Sequence, residues 1–241
     1  MIRHAFLAAG VALAVCAAGA PAAALVPASR AAPAQAAPTP AALAAGAAAG
    51  ATGAAVLALQ RRLAALGYWT GAADGRFGGY TTQAVYALQK AAGLPRDGVV
   101  GPRTWAALDR GALPRPYTAS GRRAEIDLAR QLLVLADGGR VRQVFNTSTG
   151  TGRLYTVGGV TKRAVTPRGT FRVQRQVNGW DRGPLGLLYR PRYFNGGIAV
   201  HGYASVPPYP ASHGCVRVST GAMDWLWASG WLKVGDTVVV H

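Results

Sequence analysis

The period of apolar positions changes along the chain. Residues 5–29 are small, uncharged and mostly apolar, with no stripe. Residues 31–55 continue in alanine, with Pro33, Pro38 and Pro40 interrupting any helix. From Val56 the spacing becomes helical. Val56, Leu59, Leu63 and Leu66 share one face, Arg61 and Arg62 point outward, and Gly67 stops the run. A second helix is predicted from Gly79 to Ala92, burying Val85 and Leu88. A third starts at Pro102, a favourable first helical residue, and buries Trp105 and Leu108. Beyond Leu113-Pro114-Arg115-Pro116 the pattern turns to strands. Residues 124–128, 131–135 and 141–145 read as strands, the last two joined by a turn at Asp137-Gly138-Gly139. Residues 170–173, 198–200 and 234–240 are further strands, and Ser219 or Thr220 caps a short helix through Trp227.

These shifts divide the chain. Residues 1–30 read as an export signal: Met1-Ile2-Arg3-His4 is a positive start, and small residues such as Ala18-Gly19-Ala20 follow the apolar stretch. The alternatives are a retained membrane anchor, or a lipoprotein cleavage at Cys16 after Leu13-Ala14-Val15. Residues 31–55, with 15 alanines and no charge, read as a disordered linker. Residues 56–113 form a small all-α module, 114–121 a second linker, and 122–241 a mainly β domain, a sandwich or barrel-like pair of sheets.

The 241 residues include 26 basic and 9 acidic side chains, a formal charge of +17. The arginines are scattered and no run reaches five, so a solvated surface or a polyanion such as a cell wall fits, and nucleic acid is not expected. No phosphate-binding Gly-rich loop with Lys-Ser/Thr, S-x-x-K, G-x-S-x-G, C-x-x-C or H-E-x-x-H occurs.

The helical module contains an internal repeat. Asp74-Gly75-Arg76-Phe77-Gly78 leads to Thr81 and Ala84, and Asp97-Gly98-Val99-Val100-Gly101 leads to Thr104 and Ala107, 23 residues on. Each Asp-Gly makes a turn before a helix, and the apolar residue after it can plug the core. With Leu59-Gln60-Arg61-Arg62-Leu63, Leu66-Gly67-Tyr68, Thr82-x-Ala84-Val85 and Leu88-Gln89, this pattern resembles the peptidoglycan-binding domain found beside wall enzymes. The resemblance implies a three-helix bundle that binds peptidoglycan. Tyr68, Trp69 and Trp105 read as core residues.

Without residues 1–30, Cys215 is the chain's sole cysteine. It lies in Ser212-His213-Gly214-Cys215-Val216-Arg217, and His201-Gly202-Tyr203 precedes it. A free thiol is mostly protonated at neutral pH, so a nucleophilic cysteine needs an imidazole to take its proton. Either His201 or His213 could serve. His213, two residues away, shares a face with Cys215 on an extended backbone, and His201 is 14 residues away, within reach of a returning loop. Arg217 adds charge that favours a thiolate and could hold a substrate carboxylate. Gly214 lets backbone N–H groups approach an oxyanion. The alternatives are an inert buried thiol, or a zinc site of His201, His213 and Cys215.

His201 followed by Ser212-His213-Gly214-Cys215-Val216-Arg217 resembles the signature of the L,D-transpeptidase catalytic domain, supported by Thr166-Pro167-x-Gly169-x-Phe171. The resemblance implies that Cys215 is the nucleophile and His201 the proton donor and acceptor. It implies that a carbonyl or hydroxyl of the following residue orients His201; Gly202 offers only its carbonyl. It further implies that His213 lines the site and that Gly214 supplies a backbone oxyanion donor, with Arg217 and Ser212 against substrate. No metal and no cofactor are expected. The substrates would be a donor and an acceptor stem of peptidoglycan, acted on by a secreted monomer at the cell wall. Membrane contact is expected only if the N-terminal segment is retained. An L,D-carboxypeptidase and a non-catalytic wall-binding protein are the alternatives. Tyr189, Trp180 and Tyr203 are weaker pocket candidates.

Overall fold

A computed structural model describes residues 47–241. The expected export signal and most of the Ala/Pro-rich linker lie outside these residues.

Three helices form the first part: α1 (Ala54–Ala65), α2 (Gly79–Ala91) and α3 (Pro102–Asp109). Val56, Leu59 and Leu63 are buried from α1, Val85 and Leu88 from α2, and Trp105 and Leu108 from α3. The two Asp-Gly turns are built alike. Gln60 Nε2 donates to Asp74 Oδ1, Arg76 O and Thr81 Oγ1, each at 3.0 Å, while Gln60 Oε1 accepts from Gly75 N. Gln89 repeats this with Asp97 Oδ1, Val99 O, Thr104 Oγ1 and Gly98 N. A buried glutamine thus replaces water for each turn, and Phe77 and Val100 plug the core beside it. The module also reaches further toward the N-terminus than the helical periodicity predicts. Ala47 and Val100 exchange backbone bonds, and Gly53 N donates to Gly75 O. Small residues without a stripe gave no sign of this edge pairing.

Twelve strands follow, and two five-stranded sheets carry most of them. The first is ordered β3 (Arg140–Asn146), β2 (Leu132–Asp137), β1 (Arg122–Asp127), β12 (Thr237–Val240), β6 (Gly169–Arg172). The second is β11 (Val216–Ser219), β10 (Ile198–Tyr203), β9 (Gly186–Asn195), β7 (Arg175–Gln176), with β8 (Trp180–Gly183) also pairing β9. β4 (Leu154–Val157) and β5 (Val160–Arg163) form a separate hairpin. The β2–β3 turn has Gly138 and Gly139 at φ 57° and 72°, the left-handed pair that a two-residue hairpin demands. Helix α4 (Thr220–Ala228) is capped by Ser219, whose Oγ accepts from Ala222 N.

The pair of sheets expected from the alternation is present. Ile126, Leu133, Leu135, Phe145, Val238 and Val240 meet Phe194, Val200, Val216 and Val218 across the core, with Met223 and Leu226 of α4. The other face of β2 and β3 is also covered. Leu132, Val134 and Val144 belong to the hydrophobic cluster of the three helices. The edge of β3 is paired as well: Val144 N donates to Gly67 O and Trp69 N to Val144 O. The helical module therefore closes a sheet edge that would otherwise be open.

Candidate active site

His201 lies on a strand, and Cys215 lies just before the parallel strand beside it. β10 pairs with β11 in the register Val200–Val216 and His201–Arg217, and Cys215 immediately precedes β11. A parallel pair needs a crossover, and residues 204–215 supply it. This crossover brings the two chain-distant residues to one cavity of about 560 Å³. His201, Tyr203, Ser212, His213, Gly214, Cys215 and Arg217 all line it.

His201 is buried, and its Nδ1 lies 2.9 Å from Gly202 O. A carbonyl only accepts, so Nδ1 carries the proton and Nε2 is the free base. Burial pushes the His201 imidazolium down to about 4; the Gly202 carbonyl opposes this and the Arg217 charge adds to it. Gly202 itself has no room for a side chain, because a Cβ would stand 2.8 Å from the Tyr189 ring and 3.1 Å from Thr220 Cα. Helix α4 is therefore able to lie against β10.

The Cys215 thiol donates to Gly197 O at 3.7 Å. Burial raises its pKa, while a backbone hydrogen bond and the Arg217 charge oppose the rise. Burial thus favours the neutral thiol and, at His201, the neutral imidazole, and both groups line the same cavity. The Arg217 charge acts in the direction expected, toward the thiolate, but desolvation of the sulfur acts more strongly the other way.

The turn before Cys215 is tightly held. Ser212 Oγ donates to Cys215 O at 2.6 Å and accepts from Gly214 N at 3.1 Å. The Gly214 N–H is therefore already engaged, and is not the free donor its sequence position suggests. Gly214 has φ 142°, and a Cβ there would lie 2.9 Å from Val165 O. Thr166 Oγ1 donates to Gly214 O at 2.7 Å and accepts from Gly150 N. The sequence carries Thr166 only as part of the 166–171 pattern, since a residue 48 positions from its partner gives no local signal.

The two histidines separate by environment. His213 is exposed at the rim, edge-on to Tyr155 with ring centroids 4.7 Å apart. Arg217 lies over the Tyr203 ring at 4.1 Å and donates to Ala211 O, while its buried Nε has no partner among the described residues. Trp180 and Tyr189 do not line the cavity; Tyr189 donates to Asp224 and packs against Trp180. Tyr155, Lys162, Arg182 and Leu185, from the two hairpins, do line it and were not foreseen. Among the described residues no cluster of three His, Cys, Asp or Glu side chains is arranged to hold a metal ion.

Residues 121–240 match the L,D-transpeptidase catalytic domain, and residues 52–108 match a peptidoglycan binding domain. The crystal structure of the L,D-transpeptidase from Xylanimonas cellulosilytica DSM 15894 is 53% identical, with a TM-score of 0.79, covering 81% of this chain and 97% of that one. The chain belongs to the L,D-transpeptidase family. A curated relative from Kitasatospora aureofaciens, an uncharacterized protein in the bpoA1 3' region, is 49% identical over 59 residues, 24% of this chain. The match spans 50% of that relative's length.

Proposed function

We propose that the protein is an exported transpeptidase that cross-links peptidoglycan through a Cys215 acyl-enzyme. The observation that carries this reading is the placement, in one cavity, of a buried imidazole on β10, its Nδ1 fixed by Gly202 O, and a thiol at the entry to the neighbouring strand β11. In the first half-reaction His201 Nε2 takes the Cys215 proton as sulfur attacks the amide carbonyl that follows the L-centre of a tetrapeptide stem. The C–N bond breaks, and the terminal D-residue leaves with its amine protonated by His201. In the second, the side-chain amine of another stem attacks the thioester, His201 accepts its proton, and the thiolate is released to be reprotonated. One amide is broken and one made, so no other reactant is required.

The thiol turns from Gly197 O toward Nε2 as substrate binds, a tightening common at nucleophile–base pairs. Carbonyl charge develops against the backbone of the 213–215 turn, which Ser212 and Thr166 hold in place. Arg217 and Ser212 face the stem, and His213 shapes the rim. The helical module and the +17 charge favour an anionic wall, and residues 1–30 direct the chain to it.

The test is incubation of the full chain with a disaccharide-tetrapeptide, followed by mass spectrometry. An acyl adduct on Cys215 and a cross-linked dimer are expected, and Cys215→Ala should lose both while melting normally. Release of tripeptide without dimer would indicate the carboxypeptidase instead. No adduct on folded wild type would leave only a wall-binding protein.

A further inference from the structure

Lys90 is a buried side chain on the inner side of α2 that the chemistry above does not use. It is 2% exposed, and its Nζ lies 2.8 Å from Gln131 O, 3.1 Å from Thr147 O and within hydrogen-bonding reach of Asn146 Oδ1. All three acceptors belong to the β domain. Neighbouring residues of the helical module reach the same region. Asn146 Nδ2 donates to Gln83 Oε1 at 2.5 Å and to Val206 O at 3.1 Å, and Gln83 Nε2 donates to the same Val206 carbonyl. Arg96 Nη1 donates to Pro208 O at 3.1 Å.

These contacts end on the crossover that carries the Cys215 turn. Val206 and Pro208 lie in it. Its far end is tied to the strand-like stretch just past β3: Ser148 Oγ donates to Tyr209 O, and Ala211 N and Ser212 N both donate to Thr149 O. Thr149 is in turn fixed by Gln131, whose side chain exchanges two hydrogen bonds with it. Ser148 and Arg217 exchange backbone bonds, and Thr147 Oγ1 donates to Arg217 O. Lys90 therefore sits where Gln131, Asn146 and Thr147 converge, one hydrogen-bonded step from the residues that hold Ser212 and Arg217.

We propose that the helical module is a structural part of the catalytic site, and that Lys90 is its positioning residue, bracing the 206–212 segment and hence the Cys215 turn. The module then acts on the reaction as well as on wall binding. The proposal rests on Cys215 being the acylated residue only for its kinetic readout. Gross attachment of the module does not require Lys90, because Leu132, Val134 and Val144 and the Gly67–Val144 pairing already join the two parts.

The experiment compares full-length wild type with Lys90→Met and with Gln83→Ala, which removes only the outer contact. Two quantities are read on folded protein: the rate of Cys215 acylation by a carbapenem, and hydrogen exchange of the 206–215 amides relative to the α1–α3 amides. Lys90→Met should lose about 10- to 100-fold in acylation rate, the scale of a misplaced catalytic group, and its 206–215 amides should exchange faster while helix amides stay protected. Gln83→Ala should move both readouts in the same direction by less, and it remains informative if Lys90→Met fails to fold. Unchanged acylation and exchange in a folded variant would overturn the proposal. A wild type that is never acylated, but whose 206–215 exchange still responds to the substitutions, would retire the cross-linking reading and keep the brace.

Discussion

At the scale of single residues, the reactive pair is set by desolvation. His201 is neutral above about 4, and burial raises the Cys215 thiol, so between these limits both groups are uncharged. A proton can pass from sulfur to Nε2 throughout that range. Acylation of Cys215 by a carbapenem should therefore be nearly flat from about pH 5 through neutrality, and should fall in acid as His201 protonates near 4. Rapid-quench mass spectrometry across pH measures this. An acid limb centred near 6.5, the ordinary histidine value, would show that His201 is not desolvated as its surroundings imply.

At the scale of elements, the helical module rests on buried polar residues that serve as turn templates. Gln89 satisfies Gly98 N and donates to Val99 O, Asp97 and Thr104, and leucine could do none of this. Gln89→Leu should cost roughly 1–3 kcal/mol, the penalty for leaving buried backbone groups unpaired. Thermal melting monitored by circular dichroism reads the cost. The helices and the first sheet share one hydrophobic cluster, so the loss should appear as a shift of a single transition rather than as early melting of the helices alone. Two separated transitions would contradict the shared core. The exposed hairpins are a different kind of element. β4–β5 has exposed or half-buried residues on both strands, and it contributes cavity lining rather than core.

At the scale of the whole molecule, Lys90 ties stability to pH. Burial, and secondarily the Arg96 charge, push its pKa down to about 6 from an ordinary value near 10.5. Between these values the unfolded chain binds a proton at Lys90 that the folded chain does not. Folding stability should therefore climb with pH across that window, by at most about 1.4 kcal/mol per unit. The low pKa of His201 acts in the same direction below 6.5, so acid destabilises on both counts. Denaturant unfolding at pH 6.5 and 8.5 tests the point. Wild type should gain stability over that interval, and Lys90→Met should lose most of the slope. An equal slope in both would show that Lys90 does not titrate with folding.

Much of this molecule was legible in its sequence. Helical spacing from Val56 to Leu63 and the Pro102 start located the helices, because a 3.6-residue stripe has one solution when a face must be buried. The glycine pair at 138–139 fixed a hairpin, because both residues must take positive φ. His201 and the 212–217 segment announced their chemistry through side-chain types alone. The long strand β9 was not legible, since Pro191 and the arginines at 190 and 192 interrupt its alternation and its pairing comes from β8 and β10. The continuous apolar run 132–136 carried a hint that β2 is buried on both faces, but not what covers it.

Residue types and their spacing thus determined the helices, the strands of clear alternation, the pair of sheets and the identity of the reactive groups. Only the tertiary structure decided which histidine is buried against a carbonyl, that burial raises the thiol pKa, and that Lys90 of one module is enclosed by carbonyls of the other. Those outcomes depend on desolvation and on hydrogen bonds between residues dozens of positions apart, and such terms exist only once the chain has closed around them.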